Sequence, residues 1–254
     1  MRERRDYNVM NGMSYNLRPV WDALLDVYAE FAKICDRHHL RYYVTGGTLL
    51  GAARHKGFIP WDDDFDVVMP RQDYRRFFDA VCNELPKCLR AYDFKTKKST
   101  DDWHQMFGKV QVVDEQCVAQ VVRESHLNLK QGVFIDVIPI DGMPKATIPF
   151  YFWALRRSIW RHRIKTKADV LAFERWLMKW DYDKSPAVDD YNTNGRRLKT
   201  RALSATSFGD PIMMPFDKIF VPCPQQWEKF LTLIYRDWRI LPPPDKRKPS
   251  HQVV

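Results

Sequence analysis

The chain has 254 residues, of which 45% are hydrophobic and 14% aromatic, enough for a packed interior and too much for a disordered tail. Lys and Arg number 41 against 32 Asp and Glu, a formal net charge of +9 that favours anionic partners without choosing among nucleotides, nucleic acid and acidic lipid. No run of about 18 uncharged apolar residues is present, so no transmembrane helix is expected.

At the N-terminus, MRERRDYNVMNGMSYN is charged and no apolar stretch follows it, which argues against a cleaved signal peptide. Leu17, Val20, Trp21, Leu24, Leu25, Tyr28, Ala32 and Cys35 recur at three- and four-residue steps and predict an amphipathic helix, with Pro19 tolerated in its first turn. A short strand over Tyr42 to Thr45 runs into Gly46-Gly47 and a helix from Thr48 to Ala53. The next strand is Asp64 to Met69. Pro70 ends it, and Arg71 to Glu84 reads as a helix with Tyr74, Phe77, Phe78 and Val81 inward.

Met106 to Val113 and Cys117 to Val122 read as paired strands joined by Asp114-Glu115. Gly132 to Ile138 is a further strand, closed by Pro139 and Asp141-Gly142. Ile148 to Trp180 is helical and rich in Trp and Arg. Residues Lys184 to Pro215 carry Pro, Asn, Gly and Ser without a clear period and predict a loop or insertion. A last helix spans Gln225 to Trp238. The order is mixed α/β first and mostly helical afterwards. The five cysteines (Cys35, Cys82, Cys88, Cys117, Cys223) are scattered and form no CxxC pair, which predicts reduced thiols, as in a cytoplasm, rather than a zinc knuckle or a disulfide framework.

The chemistry concentrates between Tyr43 and Tyr74. In an extended segment residues two apart share a face, so Asp62, Asp64 and Asp66 point one way with Phe65 and Val67 on the other. Three like charges on one face repel, and a hard divalent cation with oxygen ligands relieves that. Asp136, between Ile135 and Val137, is a carboxylate inside an apolar strand and needs a partner or a metal. Asp64 and Asp66 with Asp136 make a ligand set for Mg²⁺ or Mn²⁺, which would neutralise phosphate charge in the transition state.

Gly46-Gly47-Thr48 lies between strand and helix, where glycine backbone and helix N–H groups can meet a phosphate; the same turn also suits purely steric needs. Arg54 and His55 either face an anionic donor or belong to a solvated loop, and Lys56 reads as solvated. Lys109 either snorkels to solvent or reaches a phosphate, the latter favoured because a sheet beside three aspartates calls for compensating charge. Trp61 is either core or a platform for a choline-type cation.

The Gly-Gly turn, acid-x-acid and third acid on a neighbouring strand resemble the nucleotidyltransferase fold. GGTLLGAARHKGFIPWDDDFDVVMPRQDY resembles the LicD family more closely, which includes bacterial phosphocholine transferases and fukutin-related proteins. FIDVIPIDG is similar to that family's second block, and the segments MMPFDKIFVPCP, YRDW and LPPP to its C-terminal block. Arg236-Asp237-Trp238 departs from the Gly-Asp-Tyr that relatives often carry.

The resemblance implies an α/β nucleotidyltransferase-like mixed-sheet core over residues 17–142, completed by a helical C-terminal region over 143–254. It implies that Asp64, Asp66 and Asp136 are catalytic and metal-binding and that Gly46, Gly47 and Thr48 contact phosphate. The implied reaction moves a phospho-alcohol, phosphocholine from CDP-choline foremost, to a hydroxyl of a glycan or lipid-linked glycan such as teichoic acid, lipopolysaccharide or capsule. Two rivals stand beside it: a nucleotidyltransferase that attaches NMP and releases pyrophosphate, and a basic non-catalytic adaptor at a membrane or on nucleic acid. The acidic cluster disfavours nucleic acid. The basic aromatic stretch Pro149 to Lys167 is either a helix packed on the core or a peripheral contact with anionic lipid at the inner face of the membrane.

Overall fold

The computed structural model describes residues 9–10, 13–93, 95–96, 107–129, 132–143, 167–185, 187–189 and 205–249. Its elements in chain order are β1 (Val9–Met10), β2 (Met13–Ser14), α1 (Arg18–Arg37), β3 (Tyr43–Val44), α2 (Gly46–His55), β4 (Asp66–Pro70), α3 (Arg71–Arg76), β5 (Leu89–Tyr92), β6 (Gly108–Val112), α4 (Glu115–Ser125), β7 (Phe134–Met143), α5 (Lys167–Leu177), β8 (Ala187–Asp189), β9 (Ile212–Phe216), β10 (Ile219–Cys223) and α6 (Trp227–Tyr235). Five strands run in the order β3-β4-β7-β6-β5, and β8 adds to β7. The β4–β7 pair is parallel and the other pairs are antiparallel, so the expected mixed α/β core is present.

The apolar stripe of α1 is buried through Val20, Leu24, Val27, Tyr28, Phe31, Ile34 and Cys35, as its spacing predicts. Tyr28 lies 4.8 Å from the Phe65 ring and Phe31 lies 5.0 Å from that of Phe77, tying this helix to the start of β4 and to the turn after α3. Alternation along residues 62–67 holds as well. Asp63, Phe65 and Val67 are buried, whereas Asp62, Asp64 and Asp66 are half-buried on the opposite side.

Three expectations are corrected. Residues 117–122 are not a strand but part of α4, whose N-cap Asp114 accepts from the backbone N–H groups of Gln116 and Cys117. The cap overrides the β-propensity of Val118, Val121 and Val122. Strand β7 does not stop at Pro139 but continues to Met143. Its β6 neighbour ends at Val137 and its β8 neighbour begins at Asp141, so Pro139 stands at a local edge where the missing N–H costs no ladder bond on that side.

The third correction concerns the C-terminal region, which is not simply helical. Besides α5 and α6 it holds β8 and the β9–β10 hairpin, which falls partly in the segment expected to be an irregular insertion. Phe216 at the end of β9 packs 4.8 Å from Phe58 and 5.5 Å from Phe65, so the hairpin closes the core directly beneath the acidic segment. The basic aromatic stretch Pro149 to Lys167, read as either packed on the core or in contact with lipid, lies outside the described residues except for its last position. No described helix is long and apolar enough to cross a membrane.

A buried ion network holds the far end of the parallel pair. The register sets Pro70 opposite Ile140, so the next positions place Arg71 beside Asp141. The guanidinium donates to both Asp141 oxygens at 2.8 and 2.6 Å, and Glu174 of α5 lies 3.3 Å from Arg71 and 3.1 Å from Arg75. Arg75 also donates to Asp93 at 2.5 Å. Burying these charges is tolerable only because each has a partner. The network binds α5 to the sheet and keeps the site end of β4 and β7 in register.

Candidate active site

Asp66 opens β4, and the parallel register puts it directly opposite Asp136 on β7. On the other flank Lys109 of β6 stands opposite Asp136, and its Nζ donates to Asp136 Oδ1 at 2.6 Å. The ammonium also lies 3.3 Å from the Phe134 ring centroid, so an aromatic face and a carboxylate hold it together. Three adjacent strands thus deliver acid, acid and base to one line across the sheet.

Helix α2 meets this line with its N-terminus. The backbone N–H of Asp66 donates to Thr48 Oγ1 at 2.9 Å, and that of Thr45 donates to the Asp66 carbonyl at 3.1 Å. A Cβ on Gly46 would stand 2.6 Å from Asp66 Oδ2, and one on Gly47 would overlap Asp62 Oδ2. The two glycines therefore make room for two carboxylates against the positive end of the helix. Asp62 is fixed from behind, where Trp21 Nε1 donates to its carbonyl at 2.7 Å and the Trp21 indole stacks on Phe58 at 5.2 Å. Nothing in the residues around Trp21 distinguishes it from the rest of the α1 stripe, and the sequence gives no sign of this support.

Burial pushes the Asp66 carboxyl well above the usual carboxylate range; Asp64, Asp136 and Asp62 push it the same way, and Lys109 opposes them. Burial likewise raises Asp62, and the charges of Asp64 and Asp63 and a side-chain hydrogen bond with Asp64 add to the rise. Asp136 is raised by burial against the pull of Lys109. Around Asp66 the charges of Asp64, Asp136 and Asp62 outweigh the pull of the Lys109 ammonium. Oxygen donors with this excess of negative charge fit a hard divalent cation, and Asp64, Asp66 and Asp136 are the residues that would hold it. As the side chains stand, no three His, Cys, Asp or Glu groups among the described residues are gathered into a ready-made cage.

The structure brings together Asp64, Asp66, Asp136, Lys109, Gly46, Gly47 and Thr48. It sets Arg54 and His55 apart. They occupy the C-terminal end of α2, eight residues or about 12 Å along the axis from Gly46. Arg54 Nη1 donates to the carbonyl oxygens of Trp238 at 2.9 Å and Ile240 at 3.4 Å, and its Nε donates to His55 Nε2 at 2.9 Å. Burial and the Arg54 charge hold the His55 imidazole down to about 4. Lys56 is exposed, as expected.

Residues 39–126 match the family described as LicD/FKTN/FKRP, nucleotidyltransferase domain, a span that includes α2, β4 and Lys109. The lipopolysaccharide cholinephosphotransferase LicD of Haemophilus influenzae is 37% identical over 153 residues, which cover 60% of this chain and 53% of that protein. The match therefore spans about half the length of that relative. Human ribitol 5-phosphate transferase FKRP is 53% identical over 34 residues, 13% of this chain and 7% of that protein.

Proposed function

We propose that the protein, whose residues 39–126 match the LicD/FKTN/FKRP nucleotidyltransferase domain family, is a metal-dependent transferase that moves a phospho-alcohol group to a hydroxyl of a glycan. Phosphocholine is the foremost group, in line with the name of the lipopolysaccharide cholinephosphotransferase of Haemophilus influenzae, and CDP-choline is its proposed donor. The observation that carries the reading is the register Asp66–Asp136–Lys109 across three strands, facing the N-terminus of α2.

Each residue of the chain has a defined task in this reading. Asp64 and Asp66 would hold Mg²⁺ or Mn²⁺, which supplies charge neutralisation to the donor's phosphate oxygens. Lys109 holds Asp136 by one oxygen, which orients the second oxygen to share the ion or to accept the proton of the incoming hydroxyl. Gly46, Gly47 and Thr48 keep the α2 N-terminus within reach of an anionic donor while Thr48 fixes the Asp66 backbone. Positioning of donor and acceptor with electrostatic stabilisation then carries the rate.

The same carboxylates would serve attack at the phosphorus next to the cytidine, which transfers CMP and releases pyrophosphate from CTP, or phosphocholine from CDP-choline. Product analysis separates the two. CDP-choline, CDP-ribitol, CDP-glycerol and CDP-ethanolamine are offered with Mg²⁺ and a lipopolysaccharide or teichoic acid acceptor, and the products are read by mass spectrometry. The expected outcome is free CMP with a phospho-alcohol added to the glycan. A CMP-modified glycan with no CMP released would overturn the proposed bond choice.

A further inference from the structure

Outside the acidic line, the C-terminal segment brings an additional cation to the end of α2. Arg247 lies with its guanidinium carbon 5.6 Å from the Trp61 ring centroid, and His55 approaches the same ring at 6.3 Å, edge to face. Arg54 is hydrogen-bonded to His55; burial lowers its proton affinity, the Tyr235 side chain opposes that, and the Arg247 charge lowers it further. Arg54 and Arg247 are both half-buried. Among the described residues neither forms an ion pair with a carboxylate, whereas Arg18, Arg41, Arg71 and Arg75 all do.

Two guanidiniums close enough to feel each other's charge repel, and both gain from a shared anionic partner. The donors for one are in place. Arg54 commits Nε and Nη1 to protein acceptors, and Arg247 commits Nε to the Pro242 carbonyl at 2.8 Å. Nη2 of Arg54 and both Nη atoms of Arg247 have no protein acceptor among the described residues. Because His55 Nε2 accepts from Arg54, the neutral ring carries its proton on Nδ1 and offers one more donor.

We propose that Arg54, Arg247 and His55 form an anion-binding subsite beside Trp61, which takes a sugar bearing a phosphate or carboxylate group. The assignment of that sugar to the acceptor rests on the transferase reading above. The placement argues for acceptor over donor. Arg54 is about 12 Å along α2 from the Gly46-Gly47 turn, further than a diphosphate reaches when its phosphates meet the acidic line. Trp61 directly precedes Asp62 in the chain, so a sugar held beside the half-buried indole stays next to the acidic segment.

The test is a binding measurement that needs no turnover. Glucose 6-phosphate, glucuronate, glucose and CMP are titrated into the full chain at pH 7 without divalent metal, and the His55 imidazole and Trp61 indole resonances are followed by NMR. Glucose 6-phosphate or glucuronate is expected to shift both saturably, the tighter of the two naming the anionic group, while glucose does not. Arg247→Gln is expected to weaken binding by roughly tenfold, the loss of a charge-assisted hydrogen bond, with Arg247→Lys in between. Asp66→Asn is expected to leave it unchanged. Absence of a shift, an equal response to glucose, an unaltered affinity in Arg247→Gln, or displacement of the sugar phosphate by CMP would each overturn the subsite. Failure to detect transfer with binding intact would instead remove the reaction and leave the subsite standing.

Discussion

Gly46 turns the backbone through φ +55, a left-handed conformation that costs a residue with a Cβ about 1–2 kcal/mol, and the Asp66 carboxylate fills the space a side chain would need. Gly-Gly thus answers a requirement set by the acids themselves, beside whatever it offers to a phosphate. At the other end of the helix His55 gives a sharp expectation for pH. Its folded-state value lies near 4, against 6.5 for the free side chain, because burial and Arg54 both disfavour the imidazolium. A depressed value means that the neutral ring's contribution to stability is present above about pH 6.5 and is lost as the pH falls toward 4. The His55 ring resonances should therefore titrate with a midpoint near 4, and His55→Phe should flatten the fall in stability between pH 6.5 and 4. A midpoint near 6.5 would show that the ring is neither desolvated nor held by Arg54.

At the scale of elements, Arg236 caps α6 at φ +58 and ψ −107, a region that favours glycine. The departure from the Gly-Asp-Tyr that the resemblance implies falls on this position: the backbone takes a conformation glycine would adopt freely, and the arginine bears the strain. Arg236→Gly should stabilise the protein by about 1 kcal/mol, read as a shift in the chemical denaturation midpoint at constant slope. A destabilised variant would mean that the arginine side chain contributes more than the strain removes. The elements that were legible in the sequence have their signal in near neighbours. The stripe of α1, the alternation of Asp62, Asp64 and Asp66, and the helix after Gly46-Gly47 are all local patterns. Helix α4 was hidden because its valines fit a strand equally well, and only the Asp114 cap marks it. Strand β7 looked finished at Pro139 because the exchange of its neighbours from β6 to β8 is a property of the sheet.

For the whole molecule, the positive balance of +9 is consistent with anionic partners but does not locate them. The structure divides the charge. Arg71 and Arg75 are consumed inside the fold by Asp141, Glu174 and Asp93, while Arg54 and Arg247 form no ion pair with a carboxylate among the described residues. The acids divide likewise, since Asp141 is a structural anion and Asp136, five residues before it on the same strand, faces Asp66 and Lys109. The sequence showed Asp136 through its apolar surroundings. It could not show Arg247, whose meeting with Trp61 depends on the return of a chain end across nearly two hundred residues.

The central claim, that the carboxylates aligned across β4 and β7 are the reacting centre, is tested most directly by the initial rate of CMP release from CDP-choline, or from whichever CDP-linked donor the product analysis identifies. The rate is measured with Mg²⁺ and glycan acceptor for the wild type and Asp66→Asn, with the unfolding midpoint of each recorded alongside. The account predicts that Asp66→Asn lowers the rate by at least about a hundredfold, through loss of a metal ligand. The unfolding midpoint should be unchanged or raised, because one of four repelling carboxyls has been neutralised. A variant that releases CMP within about twofold of the wild-type rate would contradict it.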